Sequence, residues 1–220
     1  MKLRDNENLF VLGIFLGMTG LISALVLALT FQLTAKPVEE AKKAVAAAAL
    51  QQVISGFDND PDAKVLTIQD PELGDIRIRA AKKSGKVIGC AVDSETHRGY
   101  AGKIKMLAGF NPDWTIRAIL ITEQKETPGL GAELCKRQFK KTIFNLFEPT
   151  PDGLPPNDFL DQFNNKKLSG KWQITKDGGN VIYVTGATVT SRAVADLAWR
   201  TASVCKANAA KITTFFGENK

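Results

Sequence analysis

The chain has 220 residues, 44% of them hydrophobic, and a net charge of +6 from 29 basic and 23 acidic side chains. That length supplies material for one globular domain and a membrane anchor, and excludes two large cores. Nucleic-acid binding has no support, because the modest positive charge contains no basic run interleaved with aromatics.

Residues 1–8 carry mixed charges, and Leu9–Phe31 then contain none. As a helix those 23 positions span roughly 35 Å, enough to cross a bilayer with some tilt. A cleaved signal peptide has a shorter apolar region, about 7 to 15 residues, and a small-x-small cleavage site that is not obvious here. The expectation is one uncleaved transmembrane helix over 9–33. Gly13 and Gly17 form a GxxxG string that Gly20, Ala24 and Ala28 prolong. Such a face admits a second helix closely, although ordinary membrane-helix composition accounts for it equally well. Charge does not set the orientation: Asp5 and Glu7 offset Lys2 and Arg4, and Glu39 and Glu40 offset Lys36, Lys42 and Lys43.

Residues 34–60 read as a helical tether, alanine-rich from Pro37 to Ile54 and ended by Ser55-Gly56 and Asn59-Asp60-Pro61. Residues 61–220 then form the globular domain. Ile76–Ala81 and Lys86–Val92 alternate around Ser84-Gly85 as a hairpin, and Gly102–Gly109 and Thr115–Thr122 repeat the pattern around Asn111-Pro112-Asp113. An antiparallel meander of about four strands is expected. Ala132–Phe147 has helical periodicity, with Leu134, Phe139, Ile143 and Phe147 as anchors and Lys136, Arg137, Lys140 and Lys141 as a basic face. Most such faces are solvated; docking on lipid headgroups or an acidic partner is the minority reading. A proline-rich connection, 148–158, precedes a return strand pair, Gln173–Val184, around Asp177-Gly178-Gly179. The last helix runs from about Ser191 to Thr214, with Val194, Leu197, Ala198, Val204 and Ala207 on its apolar side. The fold class is α+β, an antiparallel sheet packed with helices, behind one transmembrane helix.

Two strings stand out. Thr185-Gly186-Ala187-Thr188-Val189-Thr190-Ser191 joins an apolar, strand-like run to the last helix. A helix N-terminus leaves N–H groups without intrahelical partners and carries partial positive charge, so a phosphate is stabilised there without a lysine. Gly186 and Ala187 leave its approach open, and Thr188, Thr190 and Ser191 supply three hydroxyls. Helix capping by Thr190 or Ser191 is the plainer account of a Thr/Ser cluster alone. The other string, Glu126-Thr127-Pro128-Gly129-Leu130-Gly131, predicts a tight loop in which Pro128 fixes φ while Gly129 and Gly131 permit positive φ.

In this order, behind one anchor, the two strings resemble the FMN-binding domain family of respiratory membrane complexes. Gly99-Tyr100-Ala101-Gly102-Lys103-Ile104 and Thr185–Val194 resemble the branch found as the G-type component of ion-translocating ferredoxin:NAD+ oxidoreductases. They are less like the C-type component of the sodium-translocating NADH:quinone reductase. The resemblance implies FMN joined through its phosphate to Thr188. Thr185, Gly186, Ala187, Val189, Thr190 and Ser191 would surround that phosphate, and Glu126, Thr127, Pro128, Gly129, Leu130 and Gly131 would contact the ring or ribityl chain. Arg192 is a candidate for neutralising the phosphate, or a helix-surface arginine.

The same resemblance implies an electron-transfer subunit between ferredoxin and NAD+, with no complete active site of its own and other membrane subunits as partners. It further implies the bacterial inner membrane, with the N-terminus cytoplasmic and the domain outside. One departure is Ile182, where the family's attachment signature usually has an acidic residue. Two alternatives stand beside this reading: a protein like the C-type component of the quinone reductase, and a structural or assembly subunit without covalent flavin. Cys90, Cys135 and Cys205 are widely spaced, an odd count without CxxC, and are expected as buried apolar residues rather than metal ligands. His97, the sole histidine, is expected at the surface.

Overall fold

The computed structural model describes residues 3–139 and 153–217. The chain divides into two compact units, Met1–Ala47 and Ala48–Lys220. Helix α1 spans Leu3–Val53 with Pro37 inside it, so the anchor and tether expected as separate pieces are one helix. The alanine-rich run after Pro37 has the highest helix propensity available and resumes the helix in spite of the missing N–H.

Among the described residues, α1 is the one helix long and apolar enough to cross a membrane. Leu9, Phe10, Leu16, Leu27 and Phe31 are exposed along it. Thr30 and Ser23 return their hydroxyls to carbonyls one turn earlier, at 2.7 and 2.8 Å, which satisfies these donors within the helix itself.

The second unit is built on five strands: β1 (Val65–Asp70), β2 (Gly74–Lys83), β3 (Lys86–Gly99), β4 (Gly102–Phe110) and β5 (Ile116–Gln124). They pair antiparallel in sequence order. Ser84 and Gly85, with φ of 51° and 79°, make the twisted two-residue turn that joins β2 to β3 as expected. β1 exceeds the expected four strands; only Leu66 and Ile68 of its six residues are buried, too short an alternation to read in advance.

Alternation along β4 sends Ile104, Met106, Ala108 and Phe110 to one face and Leu107 to the other. Helix α3 (Thr188–Ala207) covers the first face with Val194, Leu197, Ala198, Ala202 and Cys205. A 2.8 Å hydrogen bond between the buried hydroxyls of Ser94 and Thr201 ties α3 to β3. On the opposite face Ala49, Leu50, Val53 and Ile54 pack against Ala81, Ala91, Leu107 and Ala118. Gly109 permits that approach, since a Cβ there would run into the Val53 carbonyl.

Three expected elements differ. The helix over Ala132–Phe147 is the short α2 (Gly131–Cys135), after which Lys136 is extended; Lys140, Lys141, Ile143 and Phe147 lie outside the described residues. The strand pair over Gln173–Val184 reduces to one bridge, Ile174 with Val181, around a 3₁₀ turn at Thr175–Asp177. The last helix breaks at Asn208 into α3 and α4 (Ala209–Gly217), and Ala207, expected on the apolar side, is exposed.

Arg137 is no part of a solvated basic face. Its side chain is 2% exposed and donates to the Ile119 carbonyl at 2.7 Å, the Pro155 carbonyl at 2.8 Å and Asp161 Oδ1 at 2.7 Å. It thereby pins the segment after Gly153 to β5. Burial pushes the Asp161 carboxyl up, but hydrogen bonds from Arg137, the Asn157 N–H and Asn164 outweigh it and hold the group below the ordinary aspartate value. His97 is exposed on β3, 3.6 Å from Glu95. All three cysteines are free and buried, and burial pushes the Cys90 and Cys135 thiols up to about 12.

Gly109→Val is expected to destabilise the domain by about 1–3 kcal/mol, read from chemical denaturation, because the backbone it strikes cannot yield freely. A carboxyl depressed in the folded state contributes stability that is present above its unfolded value and lost as pH falls through the folded one. Denaturation midpoints should therefore fall as pH drops below about 4, with a shallower fall in Asp161→Asn.

Candidate functional site

The candidate site lies where three connections meet. The β3–β4 hairpin brings Tyr100; the loop from β5 to α2 brings Glu126, Thr127, Leu130 and Gly131; the start of α3 brings Gly186, Ala187, Thr188, Val189 and Thr190. Together they line a cavity of about 380 Å³, within the range of small-molecule sites. The two strings that were distant in sequence are thus adjacent in space. Pro128, Gly129, Thr185 and Ser191, also expected at the site, do not line it.

Two turns shape the walls. Thr127 accepts from the Leu130 N–H at 3.2 Å, with Pro128 second and Gly129, at φ 77°, third: the pattern of a type II turn. Val184 accepts from the Ala187 N–H at 3.0 Å, with Gly186 third at φ 85°. Gly131, which permits positive φ, does not adopt it. It needs to be bare, because a Cβ there would lie 2.7 Å from Thr190 Oγ1 and 2.8 Å from Glu126 Oε2.

Glu126 is the node, only 4% exposed. Its Oε2 accepts the Thr190 hydroxyl at 2.6 Å and its Oε1 accepts the Ala101 N–H at 3.1 Å. One carboxylate therefore holds the hairpin, the loop and the helix start together. A Cβ at Gly99 would lie 2.5 Å from Oε1 and equally close to the Gly102 carbonyl.

The three hydroxyls of the helix start have different fates. Thr190 is 1% exposed and engaged by Glu126. Ser191 is fully buried and accepts the Val184 N–H at 3.2 Å. Thr188 is half-buried and lines the cavity, and among the described residues its hydroxyl has no protein partner. Ala187, the N-cap, provides no side-chain cap, and the first backbone bond of the turn is Ser191 N–H to Ala187 O at 2.9 Å. The amides of Thr188, Val189 and Thr190 thus precede the helical ladder, with the positive end of the α3 dipole at the cavity.

Arg192, a candidate for phosphate neutralisation, is committed elsewhere. Its guanidinium donates to both Asp177 oxygens, at 2.6 and 2.7 Å, and does not line the cavity. Asp177 is drawn below its ordinary value by that bond. Tyr100 is the lining residue that sequence reasoning missed; the available signal was a bulky aromatic between glycines at a hairpin tip.

An anionic phosphate suits these residues: uncapped amides face it, and the one acidic side chain in the lining has both oxygens occupied by donors. The model of the FMN-binding domain matches residues 99–203, a span that contains every residue lining the cavity. The domain is therefore of the FMN-binding class. Among its relatives is the G-type component of the ion-translocating oxidoreductase complex of Cereibacter sphaeroides, 30% identical over 190 residues that cover 84% of this chain and 78% of that protein. The corresponding protein of Haemophilus influenzae strain KW20 is 30% identical over 201 residues, 90% of each chain, and that of Escherichia coli O157:H7 is 30% identical over 186 residues, covering 81% and 79%. The chain belongs to the FMN-binding domain family, alongside these components of ion-translocating oxidoreductase complexes.

Glu126→Ala would strand the Thr190 hydroxyl and the Ala101 N–H, each costing about 1–3 kcal/mol. Glu126→Gln keeps an acceptor for one and a donor for the other. Thermal unfolding should show a large loss in the alanine variant and a smaller one in the glutamine variant.

Proposed function

We propose that this chain is the flavin-carrying subunit of an ion-translocating oxidoreductase complex, with FMN esterified through its phosphate to Thr188 Oγ1. The observation that carries the reading is the state of the three hydroxyls: Thr190 and Ser191 are occupied within the protein, and Thr188 lines the cavity beside uncapped amides with no protein partner among the described residues.

The residues have separate tasks. The amides at the start of α3 hold the phosphate charge by dipole and hydrogen bonding. Gly186 keeps the approach to them clear, and Thr185 and Ser191 support the turn from outside and beneath. The Thr127–Gly131 loop, shaped by Pro128 and Gly129, walls the remainder of the ligand. When bound, FMN supplies one- and two-electron chemistry, while the protein supplies position and electrostatics. Ester attachment keeps the cofactor on a domain that works outside the cell's nucleotide pool.

In this reading residues 1–8 are cytoplasmic, 9–33 span the bacterial inner membrane, 34–60 form the tether and 61–220 face the extracytoplasmic side. Electrons pass between the ferredoxin and NAD+ ends of the complex through its other membrane subunits. Exposed Ile182, where the attachment signature has an acid, favours a second reading in which the chain is a structural subunit without covalent flavin. Both readings meet one test, ultraviolet fluorescence of the protein band after denaturing electrophoresis. A fluorescent band in the wild type, abolished in Thr188→Val with stability changed by less than about 1 kcal/mol, is the expected result. A dark wild-type band favours the structural subunit, and a fluorescent Thr188→Val band moves the attachment elsewhere.

A further inference from the structure

The cavity is divided by polarity. Thr188, Thr190 and the uncapped amides of α3 form one side, and Tyr100, Leu130 and Val189 form the other. Those three are 72%, 44% and 43% exposed, and they gather at one opening although exposed large apolar side chains are few among the described residues after Ala48. Tyr100 stands out among them: an aromatic ring at a hairpin tip, largely in water, with no side-chain partner among the described residues. Its place is set by the site itself. The Ala101 N–H on one side of Tyr100 is bound by Glu126 Oε1, and a Cβ at Gly99 on the other would lie 2.5 Å from the same oxygen. The carboxylate that holds the helix start thus also aims the tyrosine over the cavity.

A ligand matched to this arrangement has an anionic end and a flat apolar end. Resting on the flavin reading above, we propose that Tyr100 stacks on the face of the isoalloxazine ring, with Leu130 and Val189 against its edges, and is a positioning residue for the ring. Aromatic pairs of this kind favour offset stacking, which leaves the outer ring face open to a redox partner.

The stack has an optical signature separate from turnover. A phenol in contact with an excited flavin gives it one electron and takes the same electron back, so the pair returns to its ground state without emission. The full-length chain carrying its flavin, purified in detergent, is compared with Tyr100→Leu and Tyr100→Phe by flavin lifetime and visible circular dichroism. Because the side chain is mostly exposed, both variants should fold, and emission and dichroism are compared per flavin bound. Tyr100→Leu is expected to emit severalfold more strongly, with a longer lifetime and loss of the induced visible band. Tyr100→Phe should gain emission yet retain most of that band. Unchanged lifetime and dichroism per flavin bound in Tyr100→Leu would overturn the stacking proposal alone. A wild-type chain without flavin would overturn the reading beneath it.

Discussion

The structure of the site depends on one buried hydrogen bond, from the Thr190 hydroxyl to the Glu126 carboxylate at 2.6 Å. A carboxylate taken out of water is costly unless donors replace its hydration. Here the donors are a helix-start hydroxyl and a hairpin amide, and charge-assisted bonds of this kind contribute about 1.5–3 kcal/mol each. The surroundings are cut to fit. A Cβ at Gly131 would collide with the carboxylate and Thr190, and one at Gly99 would collide with the carboxylate and equally with the Gly102 carbonyl. The last glycine of the loop string and the threonines of the helix string are therefore parts of one contact.

That contact sorts the hydroxyls. With Thr190 engaged from below and Ser191 turned back to cap the Val184 amide, only Thr188 keeps a free oxygen at the positive end of α3. No lysine or arginine is among the described residues that line the cavity. Arg192 sits one turn along and is neutralised by Asp177, while Arg98, Arg200 and Lys171 form a network that shares Glu72 and Asp196. Those pairs are partly exposed and add little stability individually.

Both faces of the sheet are used, each by a different kind of packing. α3 covers one face with a conventional apolar stripe, so its N-terminus reaches the end of the sheet where the hairpin tip and the β5–α2 loop already lie. The opposite face sets Ala81, Ala91 and Ala118 around Leu107, with Gly109 beside the Val53 carbonyl, and receives the last turn of α1 closely. A bulkier sheet face would hold that turn further off and leave Leu50 and Val53 in water.

Periodicity and turn chemistry act over a few residues, so they can be read along the chain. The uncharged run of α1, the alternation in β2 to β5, the Ser84-Gly85 turn, the Pro128-Gly129 turn and the start of α3 near Thr188 are all local patterns. β1 escaped because two buried residues make too faint an alternation. The inward turn of Arg137 escaped because its acceptors, Ile119, Pro155 and Asp161, lie about twenty residues away in either direction and belong to other segments. By itself the sequence determined the long apolar run and the fold class, which follow from neighbours in the chain, while the two strings pointed to a flavin site only through their resemblance to the FMN-binding domain family. Only the tertiary structure decided that Glu126 reaches Thr190 across 64 residues, that Thr188 is the hydroxyl left free and that Tyr100 overhangs the cavity. Those outcomes depend on how distant segments are oriented in space, which no local pattern encodes.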